Sequence, residues 1–217
     1  HVREELLTAE NNFPDVNLED WFNLGVSTME YGGFVTGYED GTFRPDETVT
    51  RAQMAAIICR VLGYGDQAES SMGTTAFSDV AADHWASGYI NVAQSQQIIN
   101  GYPDGTFRPN ENITRAEFAQ VFHNVISAYI GKAGTYDGTL DGNLLIRTND
   151  VVLKDATING DLIIGNGAKD GKVTLSNVKI TGRLVVWGGG TEAVYMNNGS
   201  NMPELIVCRV DDAVKVI

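Results

Sequence analysis

Apolar residues change their spacing once along this chain, near residue 139, and the change separates a helical part from a β-rich one. Before it, Met54, Ile57, Ile58, Val61 and Leu62 fall at the intervals of one helix face. They predict a helix from Thr50 to about Leu62, with Gly63 at its C-terminal cap. Phe118, Val121, Phe122, Val125 and Ile126 mark a second such helix beginning at Thr114. A shorter helical pattern precedes each, over about 19–31 and 84–97, and the latter is expected to bury Trp85, Ile90 and Ala93. Beyond residue 139 the period becomes two. VVLKDATINGDLIIG at 151–165 and VTLSNVKITGRLVVW at 173–187 align at a fixed offset of 22, with Leu140 to Ile146 as an earlier partial copy and Leu205 to Val207 as a later one. Short alternating segments with corners at Gly165-Asn166-Gly167 and Gly188-Gly189-Gly190 predict a parallel β-helix. An antiparallel sandwich competes, but the constant spacing disfavours it.

The helical part is itself a duplication. Residues 37–52 and 101–116 agree at twelve of sixteen positions, and Phe13 with Phe77, and Trp21 with Trp85, keep the same offset of 64. Within the repeated block, Asp40-Gly41 and Asp104-Gly105 are turn dipeptides, and Pro45 and Pro109 hold the following residues extended. Thr50 and Thr114 are then helix N-caps, with Gln53 and Glu117 placed to close a capping box. Arg51 and Arg115 stand at the first helical position, where the helix dipole disfavours a cation. Two readings stay open. A helix entrance with an arginine suits a carboxylate or phosphate; alternatively, Arg51 pairs locally with Asp46 or Glu47, and Arg115 with Glu111.

The pattern Phe77, Asp79, Val80, then His84-Trp85-Ala86, then Gly101 to Pro109, then Thr114 to Glu117 resembles the S-layer homology (SLH) domain. The likeness covers about residues 13–130. Repeat one departs from it, with Asp20-Trp21-Phe22 for the His-Trp-Ala triplet and Gln53 for glutamate. The resemblance implies a secreted protein held non-covalently on the bacterial cell surface by cell-wall polysaccharide, commonly a pyruvylated secondary polymer. It assigns polymer binding to Arg115 and Arg51, with the loop containing Gly101, Tyr102 and Asp104 expected to assist; Trp21, Trp85, Tyr38 and Tyr102 are candidates to stack on sugars, with core packing the competing reading for the tryptophans. Family members usually carry three units around a pseudo-threefold axis, and two are found here. The β-rich part resembles, more loosely, solenoid-like modules that follow SLH units in some clostridial-type surface proteins.

These readings give all-α SLH repeats followed by an all-β parallel β-helix. The expected divisions are a short leader or the end of a preceding helix over 1–12, repeats over 13–64 and 77–130 joined by a linker at 65–76, a hinge at 131–138, and a solenoid over 139–217. Acidic residues outnumber basic ones, 28 against 15, for a net charge of −13. That argues against nucleic acid or an anionic membrane as partner, since both require a basic face. No apolar run reaches the length of a transmembrane helix. The chain opens on His1 rather than Met, as expected of a processed or truncated product, so the lack of a leader says nothing of compartment. Cys59 and Cys208 read as buried thiols. The histidines His1, His84 and His123 lack the context of a catalytic or metal-binding set, so no enzyme, metal or cofactor is expected. An enzyme has room only on the β-helix, at Asp161, Lys179 and Arg183, and a cross-coil ion pair accounts for Asp161 and Arg183. The expected function is anchoring to wall glycan with the solenoid as spacer or assembly module; a self-assembling subunit of a surface layer or filament and an SLH-anchored polysaccharide-degrading enzyme are the alternatives.

Overall fold

The computed structural model describes residues 11–168, 171–187 and 194–207. The chain divides into two compact units, one ending at Asn124 and the other beginning at Val125.

The first unit contains α1 (Asn23–Tyr31), α2 (Arg51–Val61), α3 (Gly65–Ser70), α4 (Ser87–Ser95) and α5 (Arg115–Val125). Both long helices start as the sequence predicts. The Thr50 hydroxyl accepts from the Gln53 amide while the Gln53 side chain accepts from the Thr50 amide. Thr114 and Glu117 make the same reciprocal pair. The shorter helices begin later than their patterns suggest, at Asn23 and Ser87, and the segment read as a linker holds the α3 turn. Trp85 is not buried by its helix: it lies just before α4 and is 51% exposed, and Trp21 is 93% exposed.

A carboxylate ties each repeat's start to its loop. Asp15 accepts from the amides of Phe43 and Arg44, at 2.9 and 2.7 Å. Asp79 accepts from those of Phe107 and Arg108, both at 2.7 Å. Each clamp holds its arginine at φ 58°, a left-handed conformation that costs a non-glycine residue free energy. The two amides lower the Asp15 pKa, with Phe43 contributing most. Gly101 stands where a Cβ would collide with the Phe77 ring and the Thr106 carbonyl, and Gly37 is confined likewise by Phe13 and Thr42. Glycine is required at both positions.

The second unit is a parallel β-solenoid. Strands β1 (Ile126–Ile130), β3 (Asn143–Ile146), β5 (Leu162–Ile164), β7 (Arg183–Val186) and β9 (Glu204–Val207) form one sheet. The other is β2 (Gly134–Asp141), β4 (Val151–Asn159), β6 (Val173–Ile180) and β8 (Val194–Asn197). Every pairing is parallel, which excludes the antiparallel sandwich. Leu153 pairs with Leu175, Ile158 with Ile180 and Leu162 with Leu184, the offset read from the sequence. The core is made of such stacks, among them Val151, Val173 and Val194, and Ile146, Ile164 and Val186, all fully enclosed.

The solenoid begins earlier than its alternation suggests. Ile126, assigned above to a helix face, opens β1, and most of the expected hinge at 131–138 lies in β2. The corners are polar ladders. Asp155 and Asn177, at positive φ on successive coils, join through the Asn177 side-chain amide at 2.7 Å. Asn143, Asp161 and Arg183 stack at equivalent positions: the Asn143 side-chain oxygen accepts from the Asp161 amide and the Asp161 carboxylate from the Arg183 amide, both at 2.7 Å. The Arg183 guanidinium also pairs with the Asp161 carboxylate at 2.6 Å, the cross-coil contact foreseen. Gly188 to Gly190 and Cys208 lie outside the described residues.

Candidate functional site

The two arginines that open α2 and α5 have opposite fates. Arg51 is 3% exposed and reaches out of its own repeat into the loop of the other. Its Nε donates to the Phe107 carbonyl at 2.7 Å, one terminal nitrogen donates to the Asn100 carbonyl at 3.0 Å, and the other pairs with Glu117 at 2.9 Å. The guanidinium carbon also lies 4.7 Å from the Tyr102 ring centre and 4.9 Å from that of Phe107. Backbone contacts follow the same line: the Arg51 amide donates to Glu111, that of Ala52 to Pro109, and that of Ile113 to Val49. The predicted local partners Asp46 and Glu47 are therefore not used. Glu47 pairs with Arg44 instead, and Glu111 with Arg108.

Glu117 completes this contact. It accepts from the Tyr102 hydroxyl and from the amide and hydroxyl of Thr114, besides Arg51. Burial pushes the carboxyl up, but those hydrogen bonds and the Arg51 charge outweigh it and hold the pKa at about 2. The same bond raises the Tyr102 hydroxyl. Asp104 stabilises the turn rather than facing outward: it accepts from the amide and hydroxyl of Thr106, and pairs with Arg108 at 3.0 Å. Its pKa falls to about 2, chiefly through the Thr106 hydroxyl. Of the residues named from sequence, Arg51 and Tyr102 thus meet at the join between repeats, while Gly101 and Asp104 shape the loop that receives Arg51. Arg115 is exposed, with no ion pair among the described residues.

A groove of about 890 Å³ opens on repeat one. Its walls include Thr36, Tyr38, Phe43 and Gln53 of the loop and helix start, and Ala56, Ile57 and Arg60 of α2, with Trp85 of the other repeat at the edge. Arg60 donates to the Tyr89 hydroxyl at 3.1 Å and lies 4.9 Å from that ring's centre, and Tyr89 in turn neighbours Trp85. Among the described residues Arg60 has no carboxylate partner, whereas Arg44 in the same groove pairs with Asp40 and Glu47. The sequence reading missed Arg60, because its counterpart in repeat two is Asn124 and the duplication gave no signal there.

Other chemistry is sparse. Among the described residues no group of histidine, cysteine or acidic side chains could hold a metal ion. No described helix is long and apolar enough to cross a membrane. Cys59 is free and buried, and burial pushes its thiol up to about 12, far from a reactive thiolate.

Residues 12–55 and 76–119 each match the S-layer homology domain. The helical unit therefore carries a pair of S-layer homology domains, followed in sequence by the β-solenoid. The chain is similar to cell surface glycoprotein 1 of Acetivibrio thermocellus, 43% identical over 108 residues, which is 50% of this chain and 5% of that protein. It is 38% identical to the cellulosome-anchoring protein of the same organism, over 46% of this chain and 22% of the relative. It is also 38% identical to the surface layer protein of Brevibacillus choshinensis, over 42% and 8%. The chain thus spans at most about a fifth of the length of these relatives.

Proposed function

We propose that the chain is an extracellular, cell-surface protein that anchors to cell-wall polysaccharide through its SLH pair, and that the glycan lies in the repeat-one groove. The observation that carries this reading is the grouping of a half-exposed Trp85 with Arg60, the groove's cation that has no carboxylate partner among the described residues. A flat aromatic surface suits the apolar face of a sugar ring, and a guanidinium suits an acidic substituent such as a pyruvyl group. Arg51 is committed to the join between repeats and so does not touch the polymer. The curated relatives are surface and anchoring proteins, which favours the same role. The solenoid serves as a spacer or assembly module, and the Asp161–Arg183 pair ties its successive coils together.

Co-sedimentation of the full chain with purified wall sacculi tests the proposal. Trp85→Ala lies at a half-exposed position and is expected to weaken sedimentation at least about tenfold, the loss of one aromatic anchor. Unchanged sedimentation of that variant overturns the assignment of the groove.

A further inference from the structure

Arg51 in its socket is one half of a contact that the duplication has copied, and the second copy stands open. At the offset of 64, the groups that receive Arg51, namely Asn100, Tyr102, Phe107 and Glu117, correspond to Thr36, Tyr38, Phe43 and Gln53. All four of these line the repeat-one groove, where no described arginine from another repeat enters. Tyr102 has two guanidinium groups against its ring, Arg108 and Arg51; Tyr38 has one, Arg44. The inserting side is open as well. On α2, Arg51, Ala52, Met54, Ala55, Ile58 and Cys59 are all buried. Their equivalents on α5, Arg115, Ala116, Phe118, Ala119, Phe122 and His123, are all exposed, and Phe118 and Phe122 lie side by side at 43% and 46% exposure.

We infer that Arg115 of one copy inserts into the Tyr38–Gln53 socket of a second copy, joining chains head to tail by the contact Arg51 makes within the chain. The apolar face beside Arg115 supplies burial, as its α2 counterpart does, and the socket supplies two carbonyls, a ring and the Gln53 side chain for the guanidinium. The contact is heterologous: each added copy leaves one arginine and one socket open, so growth continues until a ring closes. One arginine side chain fills a small part of the groove, and the Trp85–Arg60 edge remains for glycan. The inference does not rest on the glycan reading.

The repeats differ at one receiving position, where Gln53 replaces the glutamate, and this gives the test. Gln53→Glu keeps the capping box and lets Tyr38 donate to it as Tyr102 donates to Glu117. Sedimentation velocity of the full chain, without glycan and across a concentration series, should show concentration-dependent association beyond a monomer. Arg115→Ala, at an exposed position that leaves the fold intact, is expected to weaken it at least about tenfold, and Gln53→Glu to strengthen it by a similar factor. The gain from Gln53→Glu should vanish in the Arg115→Ala background. A monomer at every concentration for both the parent and Gln53→Glu chains overturns the inference. So does association that is indifferent to Arg115→Ala, or a Gln53→Glu gain that persists without Arg115.

Discussion

Arg51 leaves water for two carbonyls, a carboxylate and two aromatic rings, and the free energy of that exchange sets what its removal does. Truncation strands Glu117 in a mostly covered position, and breaking such a pair typically costs about 3–5 kcal/mol. Arg51→Ala is therefore expected to lower the stability of the SLH pair by that order in urea denaturation, far more than Arg115→Ala, whose side chain is exposed. Arg51→Lys should recover only part of the loss, since one ammonium cannot replace the guanidinium fork across three acceptors. The Glu117 carboxyl is held at about 2 in the folded chain, below its ordinary value of 4.5. A depressed carboxyl stabilises the fold above its unfolded pKa and ceases to as pH falls through the folded one. The contribution is thus complete above about pH 4.5 and is lost toward pH 2. Melting curves across that window should fall more steeply for the parent chain than for Glu117→Gln.

At the scale of elements, the capping boxes and the solenoid stacks carry separate expectations. Thr114→Ala removes the hydroxyl that caps α5 and is expected to cost about 1 kcal/mol, by the same measurement. Ile164→Ala empties a fully enclosed place between Ile146 and Val186 and should cost about 2–5 kcal/mol. Both features were legible in the sequence, because a cap is local and because stacked coils repeat at a fixed interval. The boundary between the units was not. GKAGTYDG reads as a hinge by composition, yet its second half is strand because Val151 to Asn159 supplies a parallel hydrogen-bonding partner on the next coil. The coil offset is 17 to 18 residues there rather than 22, so the copy search passed over it. Trp85 departs from its expected burial for a related reason: it precedes its helix, where helical periodicity no longer decides which way a side chain faces.

Across the whole molecule, the duplication foretold two arginine entrances but not their different uses. Which arginine is enclosed depends on which repeat follows the other in the chain, a long-range fact that no window of residues contains. The same asymmetry left Arg60 unseen. Wall attachment can be measured by calorimetric titration of the full chain with wall polysaccharide, using the native polymer and the same polymer stripped of its acidic substituents. The account predicts saturable binding to the native polymer, weakened at least about tenfold by stripping and by Arg60→Ala, the worth of one charge-assisted contact. Equal affinity for both polymers, unaffected by Arg60→Ala, would contradict it.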